Sequence, residues 1–149
     1  MRLSEGMALL AGLLLLAGPA MGAPRNGSPF RVTGGWFRAL PAGLPAGGYF
    51  TIHSGIRRTV SIVRAQSSGC GALELHRSSM QGGMSAMERV QSVDLPPGQD
   101  VVFAPGGYHL MCIHPTPAMK PGRRVPVVLM LSSGISVAAT FQVRGARGR

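Results

Sequence analysis

The chain has 149 residues and a formal net charge of +10 at pH 7, with 15 Lys and Arg against 5 Asp and Glu. So few carboxylates leave little acid–base machinery for an enzyme, and the sequence contains no HExxH, paired-carboxylate or Ser/His/Asp pattern. The positive charge permits contact with nucleic acids or anionic membranes. The arginines are scattered, however, and aromatic side chains are few, so we expect no nucleic-acid partner.

The first 22 residues are typical of an export signal. Arg2 precedes the apolar run Met7–Ala17, and a Gly18-Pro19 break leads into the small-x-small sequence Ala20-Met21-Gly22. We therefore predict a cleavable signal peptide over residues 1–22 and a periplasmic location for the rest of the chain. Retention of the run as an anchor is the alternative, although it is shorter than the ~20 apolar residues that span a bilayer.

The rest of the chain is predicted to form one domain with a short extension at each end. Residues 23–29 are polar and contain Gly and Pro, which predicts a flexible arm. Residues 30–144 are long enough to bury one hydrophobic core, and residues 145–149 form a basic tail.

Within residues 30–144, alternating apolar segments separated by Gly- and Pro-containing turns predict strands rather than helices. Trp36 in the first segment is expected to anchor the core. The pattern predicts an all-β fold, an antiparallel Greek-key β-sandwich of the cupredoxin-like or Ig-like kind. In chain order the predicted strands are Phe30–Leu40, Gly48–His53, Arg57–Arg64, Ala72–His76, Met84–Val90, Val101–Phe103, Tyr108–Ile113, Arg124–Leu131 and Ile135–Val143.

Cys70 and Cys112 are the only cysteines. In an exported chain an even pair favours a disulfide, because the compartment is oxidising. Two buried free thiols are the alternative, and the sequence leaves the choice open.

The segment Tyr108–Ile113 follows a Pro-Gly-Gly turn, and its side chains alternate between two faces of a strand. His109 and Met111 share one face, while Leu110 and Cys112 lie on the other. If the Leu110 face is buried, an imidazole and a thioether stand side by side outside it. Both are soft donors that suit copper better than calcium or magnesium. One His and one Met on a strand are common, so this segment alone is weak evidence for a metal site.

Two further soft donors complete a pattern. His76 closes one predicted strand, and Met87 lies on the return strand of the hairpin whose tip is Gln81-Gly82-Gly83. With His109 and Met111 they form H-x10-M-x21-H-x-M. This spacing resembles the copper-binding signature of the periplasmic PCu(A)C-type copper chaperones.

The flanking sequence carries the same resemblance over roughly residues 30–143. Glu74-Leu75-His76 is similar to that family's "ELH", and Gly106–Met111 to its "GGYHLM". Tyr49–Ile52 resembles its early strand, and Lys120-Pro121-Gly122 resembles its late turn.

The resemblance implies a monomeric, non-catalytic carrier that binds one Cu(I) through His76, Met87, His109 and Met111. It also implies delivery to a copper-accepting protein, such as cytochrome c oxidase subunit II or a thioredoxin-like assembly factor, for the binuclear copper site of the oxidase. Membrane contact would come only through such partners. Because histidine must be neutral to bind a metal, affinity is expected to fall below pH ~6.5.

Two alternatives remain open at this stage. Met87 on its own is explained better as a core residue than as a ligand, because methionine fills gaps in cores. The whole chain is explained less well as a secreted β-sandwich binding module whose His and Met residues are incidental. The residues that lie close enough in sequence to assist the predicted site are Met80, Met84, His114 and Met119.

Overall fold

The computed structural model describes residues 27–149, so the predicted signal peptide and most of the predicted arm lie outside the described residues. Ten strands and one short 3-10 helix make up this part of the chain. Within it, no helix has the length and apolar character needed to cross a bilayer. The elements are β1 (Phe30–Arg38), the 3-10 helix (Pro41–Gly43), β2 (Ala46–Ser54), β3 (Val60–Gln66), β4 (Cys70–Gln81), β5 (Met84–Arg89), β6 (Val93–Leu95), β7 (Asp100–Phe103), β8 (Tyr108–Pro115), β9 (Arg124–Leu131) and β10 (Ser136–Arg144).

The strands form one continuous sheet in the order β5-β4-β8-β2-β1-β10-β9-β3-β6, with β7 pairing on β2. A single pair, Ala65 with Leu73, also joins β3 to β4, so the sheet wraps around one core. The predicted all-β sandwich is therefore confirmed. One pairing departs from the antiparallel prediction, because β1 and β10 run parallel. These strands come from opposite ends of the domain, so no crossover has to connect them directly.

The core is built by inward-facing residues that alternate with outward-facing ones on each strand. Leu75 on β4 and Leu110 on β8 lie opposite each other and are both buried. Burial of such apolar side chains is the main favourable contribution to folding. The largest side chains that are completely buried are Phe37, Phe103, Phe141, Ile52, Ile62, Leu95, Leu110 and Leu129.

Trp36 is not a core residue, so that prediction is wrong. The register of β1 against β2 shifts between Thr33 and Trp36, a β-bulge that includes Gly34 with φ of 64°. A bulge adds one residue to a strand and so reverses which side chains face inward. Phe37 consequently enters the core and Trp36 turns to the outer face, where it is half-buried.

The β4–β5 hairpin extends beyond the rest of the sheet. Its two-residue turn consists of Gly82 and Gly83, which have φ of 57° and 78°, the left-handed values that tight hairpins require. The paired stretch of β4 and β8 ends at Arg77 opposite Tyr108. In the part of the chain that the structure describes, the hairpin from residue 79 to residue 86 pairs only with itself.

Cys70 and Cys112 form a disulfide, with their Cα atoms 5.3 Å apart. The alternative of two free buried thiols is therefore wrong. The bond joins the first residue of β4 to the middle of β8, and the Cys112 side is completely buried. It holds together the two strands that carry His76 and His109.

We expect the Cys70→Ala, Cys112→Ala double variant to be less stable than the wild type by about 2–4 kcal/mol, because the crosslink restricts the unfolded chain across a sequence separation of 42 residues. Denaturant unfolding with and without reductant measures the difference. Reductant should destabilise the wild type and leave the double variant unchanged. Equal stability of the two oxidised proteins would contradict the prediction.

Candidate metal centre

His76 and His109 lie directly opposite each other on β4 and β8. Cross-strand partners project from the same face of a sheet, and here the ring centroids are 5.7 Å apart. This face is the outer one, because Leu75 and Leu110 take the core side. The register therefore brings together the two histidines that are 33 positions apart in the sequence.

The His76 ring is oriented by Glu74, two residues earlier on the same face. Nε2 of His76 lies 2.9 Å from Oε2 of Glu74, and because the carboxylate only accepts, Nε2 carries the proton. The hydrogen bond from His76, helped by the positive charge of Arg89, lowers the pKa of Glu74 against the opposing effect of burial. Nδ1 of His76 is buried and has no hydrogen-bond partner among the described residues.

His109 is oriented by the backbone. Its Nδ1 donates to the carbonyl oxygen of Gly107 at 3.1 Å, which leaves Nε2 as the unprotonated nitrogen of the neutral ring. Nε2 is buried and, within residues 27–149, has no partner. The sequence predicted that His109 would stand outside the buried face of β8. In the structure neighbouring residues cover His109, which is only 3% exposed. Burial lowers its pKa, and the nearby His76 acts in the same direction.

Tyr49 of β2 covers His109 from the other side, with ring centroids 6.4 Å apart. A Cβ atom at Gly47 would come within 2.6 Å of the Tyr49 hydroxyl oxygen, so the glycine leaves room for this ring to lie along the strand. The opposite side of Tyr49 packs on Trp36 at 4.9 Å. The sequence analysis missed Tyr49, because no local pattern in one chain reports which residue will lie opposite His109.

The two thioethers of the predicted set lie on the same outer face. Met111 is opposite Glu74 and therefore diagonal to His76, and it is half-buried. Met87 is opposite Ser78, diagonal to His76 on the other side, and it is 57% exposed. Diagonal neighbours lie ~7–8 Å apart between Cα atoms, within reach of long side chains. The exposure of Met87 also rules out its alternative role as a core residue.

The residues considered as auxiliary donors fall in different places. Met119 is a core residue at 8% exposure, and His114 is exposed near the far end of β8, with φ of 51°. Met80 and Met84 lie on the projecting hairpin and are 70% and 73% exposed. His114 and Met119 are thus separated from the histidine pair, whereas Met80 shares its outer face by register.

The donor set decides which metals fit. Among residues 27–149, no three His, Cys, Asp or Glu side chains are grouped so that they could hold a metal ion. The thioethers of Met87 and Met111 lie on the same face as His76 and His109 and are soft donors available to such a site. A buried polar atom without a hydrogen-bond partner lowers the stability of the fold by about 1–3 kcal/mol. Two such nitrogens, Nδ1 of His76 and Nε2 of His109, lie on this face of the sheet. A soft ion at these nitrogens would remove the penalty, and the residues present fit monovalent copper.

Lowering the pH from 6.5 towards 4.5 should destabilise the metal-free protein. The unfolded chain takes up a proton at the ordinary histidine pKa of 6.5, whereas the pKa of folded His109 is lowered, so protons favour unfolding in this window. Glu74, whose ordinary pKa is 4.5, contributes only at lower pH. Urea unfolding of the metal-free protein at a series of pH values measures the effect. His109→Asn should weaken the pH dependence, and an unchanged profile would contradict the prediction.

Comparison of the sequence with known proteins identifies one family and one relative. The model of the family described as putative lipoprotein LpqE-like matches residues 30–143. The putative lipoprotein Lxx21020 of Leifsonia xyli subsp. xyli is 27% identical over 155 residues, covering 99% of this chain and 93% of the relative.

Two solved structures are similar in three dimensions. The copper-bound PCuAC domain from PmoF2 gives a TM-score of 0.66 at 19% identity, over 79% of this chain and 94% of that one. The solution structure of CuI-DR1885 from Deinococcus radiodurans gives 0.64 at 21% identity, over 84% and 85%. The resemblance found in the sequence is thereby confirmed at the level of fold. The chain belongs to the LpqE-like family of putative lipoproteins and folds as a PCuAC-type domain.

Proposed function

We propose that the protein is an exported copper carrier, which binds one Cu(I) as cargo through His76, Met87, His109 and Met111. The observation that supports this most directly is the pair of buried, unpaired imidazole nitrogens, Nδ1 of His76 and Nε2 of His109. Both belong to rings whose other nitrogen is already occupied. Two thioethers on the same sheet face supply the remaining donors by register.

The chemistry of this set suits a carrier. Two imidazoles and two thioethers are neutral, so the complex keeps the single positive charge of Cu(I). Thioethers need no deprotonation, and none of the four donors is a thiol that an oxidising compartment would consume. Four donors leave no open position for substrate, which argues against catalysis. The similar structures are those of a copper-bound domain and a CuI-loaded protein by their own descriptions.

The proposed route of the cargo is delivery to a copper-accepting protein in the periplasm. Cytochrome c oxidase subunit II, or a thioredoxin-like factor that assembles its binuclear copper site, is the proposed recipient. Export is supported by the predicted signal peptide and by the family and relative, both described as lipoproteins. Met87, the most exposed of the four proposed ligands at 57%, lies on the side from which an acceptor can approach.

Titration of the domain with Cu(I) under reducing conditions tests the proposal. We expect one Cu(I) per chain, and we expect the His109→Ala, Met111→Ala double variant to lose it. His53→Ala is the matched control, because His53 is bound to Asp100 at 2.6 Å and lies outside the proposed set. Circular dichroism establishes that each variant is folded. Binding of one Cu(I) per chain by the double variant would contradict the site assignment.

Glu74 should tune the site without binding the metal. Its hydrogen bond holds Nδ1 of His76 as the free nitrogen, and loss of such a supporting partner typically costs 10–100-fold in metal affinity. We expect Glu74→Ala to keep the stoichiometry and to weaken Cu(I) binding by roughly that factor. Competition with a Cu(I) chelator measures it.

Two variants control this experiment. Glu74→Gln retains a carbonyl oxygen that accepts from Nε2, so it should recover part of the affinity. Glu88→Ala removes a carboxylate from β5 that lies opposite Arg77, on the other face of the hairpin, and should bind as the wild type does. If Glu88→Ala weakens binding as much as Glu74→Ala, the effect is one of overall charge and not of ring orientation.

A further inference from the structure

The projecting hairpin exposes more methionine than packing explains. Met84 and Met80 are the two most exposed large apolar side chains of the described chain, at 73% and 70%, and Met87 follows at 57%. Exposure of apolar side chains to water is unfavourable. Neighbouring positions on the same hairpin are polar or charged, namely Ser, Gln, Glu and Arg. The feature they share beyond apolarity is the thioether sulfur, a soft donor.

The register links these sulfurs to the candidate metal centre. Met80 pairs with Ser85 and Met87 pairs with Ser78, so Met80 and Met87 are diagonal neighbours on one face. Met87 is in turn diagonal to His76 on that face. Met84 pairs with Gln81 beside the turn and projects from the other face. Because the hairpin from residue 79 to 86 pairs only with itself in the described structure, both faces are accessible at its tip.

Exposure rises in steps along this line. His109 is 3% exposed, Met87 57% and Met80 70%. An ion held by the two buried imidazole nitrogens is less accessible to an acceptor than one held near the hairpin tip. A stepwise path of thioethers therefore connects a closed site to solvent.

We propose that Met80, together with its diagonal neighbour Met87, forms a low-affinity Cu(I) station near the hairpin tip, through which the ion reaches and leaves the histidine pair. This inference rests on the proposed function. Each step is a ligand exchange in which a new Cu–S bond forms as another copper–ligand bond breaks. Copper stays Cu(I) throughout, and because a thioether is neutral and has no proton to lose, no electron or proton moves.

The Met80→Leu variant tests the station, because leucine keeps the apolar volume and removes the sulfur. Cu(I)-loaded protein is mixed with excess bathocuproine disulfonate in a stopped-flow instrument, and the coloured chelate reports the transfer rate. We expect transfer to slow roughly tenfold, the effect of a barrier raised by one lost ligand contact. Affinity for the first Cu(I), measured at equilibrium, should stay within twofold of the wild type.

Met130→Leu is the matched control, since Met130 is half-buried on β9 opposite Arg64 and far in register from the hairpin. An unchanged rate in the Met80→Leu variant, or an equal slowing in the control, overturns the station. If Met80 serves only as an apolar contact for a protein partner, the leucine variant transfers copper to this small chelator at the wild-type rate. If the proposed function itself is wrong, the titration shows no stoichiometric Cu(I) binding by the wild type, and no transfer rate can be measured.

Discussion

The antiparallel register between β4 and β8 places His76 opposite His109 and Leu75 opposite Leu110. Since side chains alternate along a strand, a slip of one residue would send His109 into the core and Leu110 into the outer face. The Cys70–Cys112 disulfide fixes this register at one end. The hydrogen bond from the Ser78 amide to the Gly107 carbonyl, at 3.0 Å, closes the other end. The candidate metal centre depends on β4 and β8 keeping this register.

The two histidines are prepared for a ligand by interactions that use their other nitrogens. Glu74 holds one ring and the Gly107 carbonyl holds the other, so each presents a single unprotonated nitrogen. Burial of His109 lowers its pKa, which keeps the ring neutral and able to bind at a more acidic pH than an exposed histidine. The same burial costs free energy in the absence of a metal. An ion that binds to these nitrogens would recover this free energy, which favours tight binding.

Tight binding and release impose opposite requirements on one site. In the proposed carrier the buried imidazole nitrogens would favour retention of the ion, whereas transfer to an acceptor requires ligands that an incoming protein can displace. In the proposed carrier, distance along a hairpin would resolve this conflict. The histidines sit where β4 is flanked by β8, and the thioethers extend from there towards a tip that nothing covers among the described residues. Under that proposal, solvent exposure of the ligands, rather than ligand type alone, distinguishes the proposed binding site from the proposed site of release.

Local sequence patterns predicted the elements well, because strand periodicity and turn residues act over short range. The predicted strand Arg124–Leu131 coincides with β9, and Gly82-Gly83 forms the expected hairpin turn. Alternation also placed Glu74 and His76 on one face. The family resemblance carried by the spacing of the four soft donors implied one common site before any strand pairing was available.

Pairing between distant strands was decided only by the tertiary structure. The bulge at Gly34 exchanged Trp36 for Phe37 in the core, and β1 joined β10 in parallel. Tyr49 came to cover His109, and the two cysteines proved close enough to bond. Each of these outcomes depends on a register set by the whole core. The sequence alone therefore determined which donors exist and how they are spaced, while their burial, orientation and partners followed from packing among strands far apart in the chain.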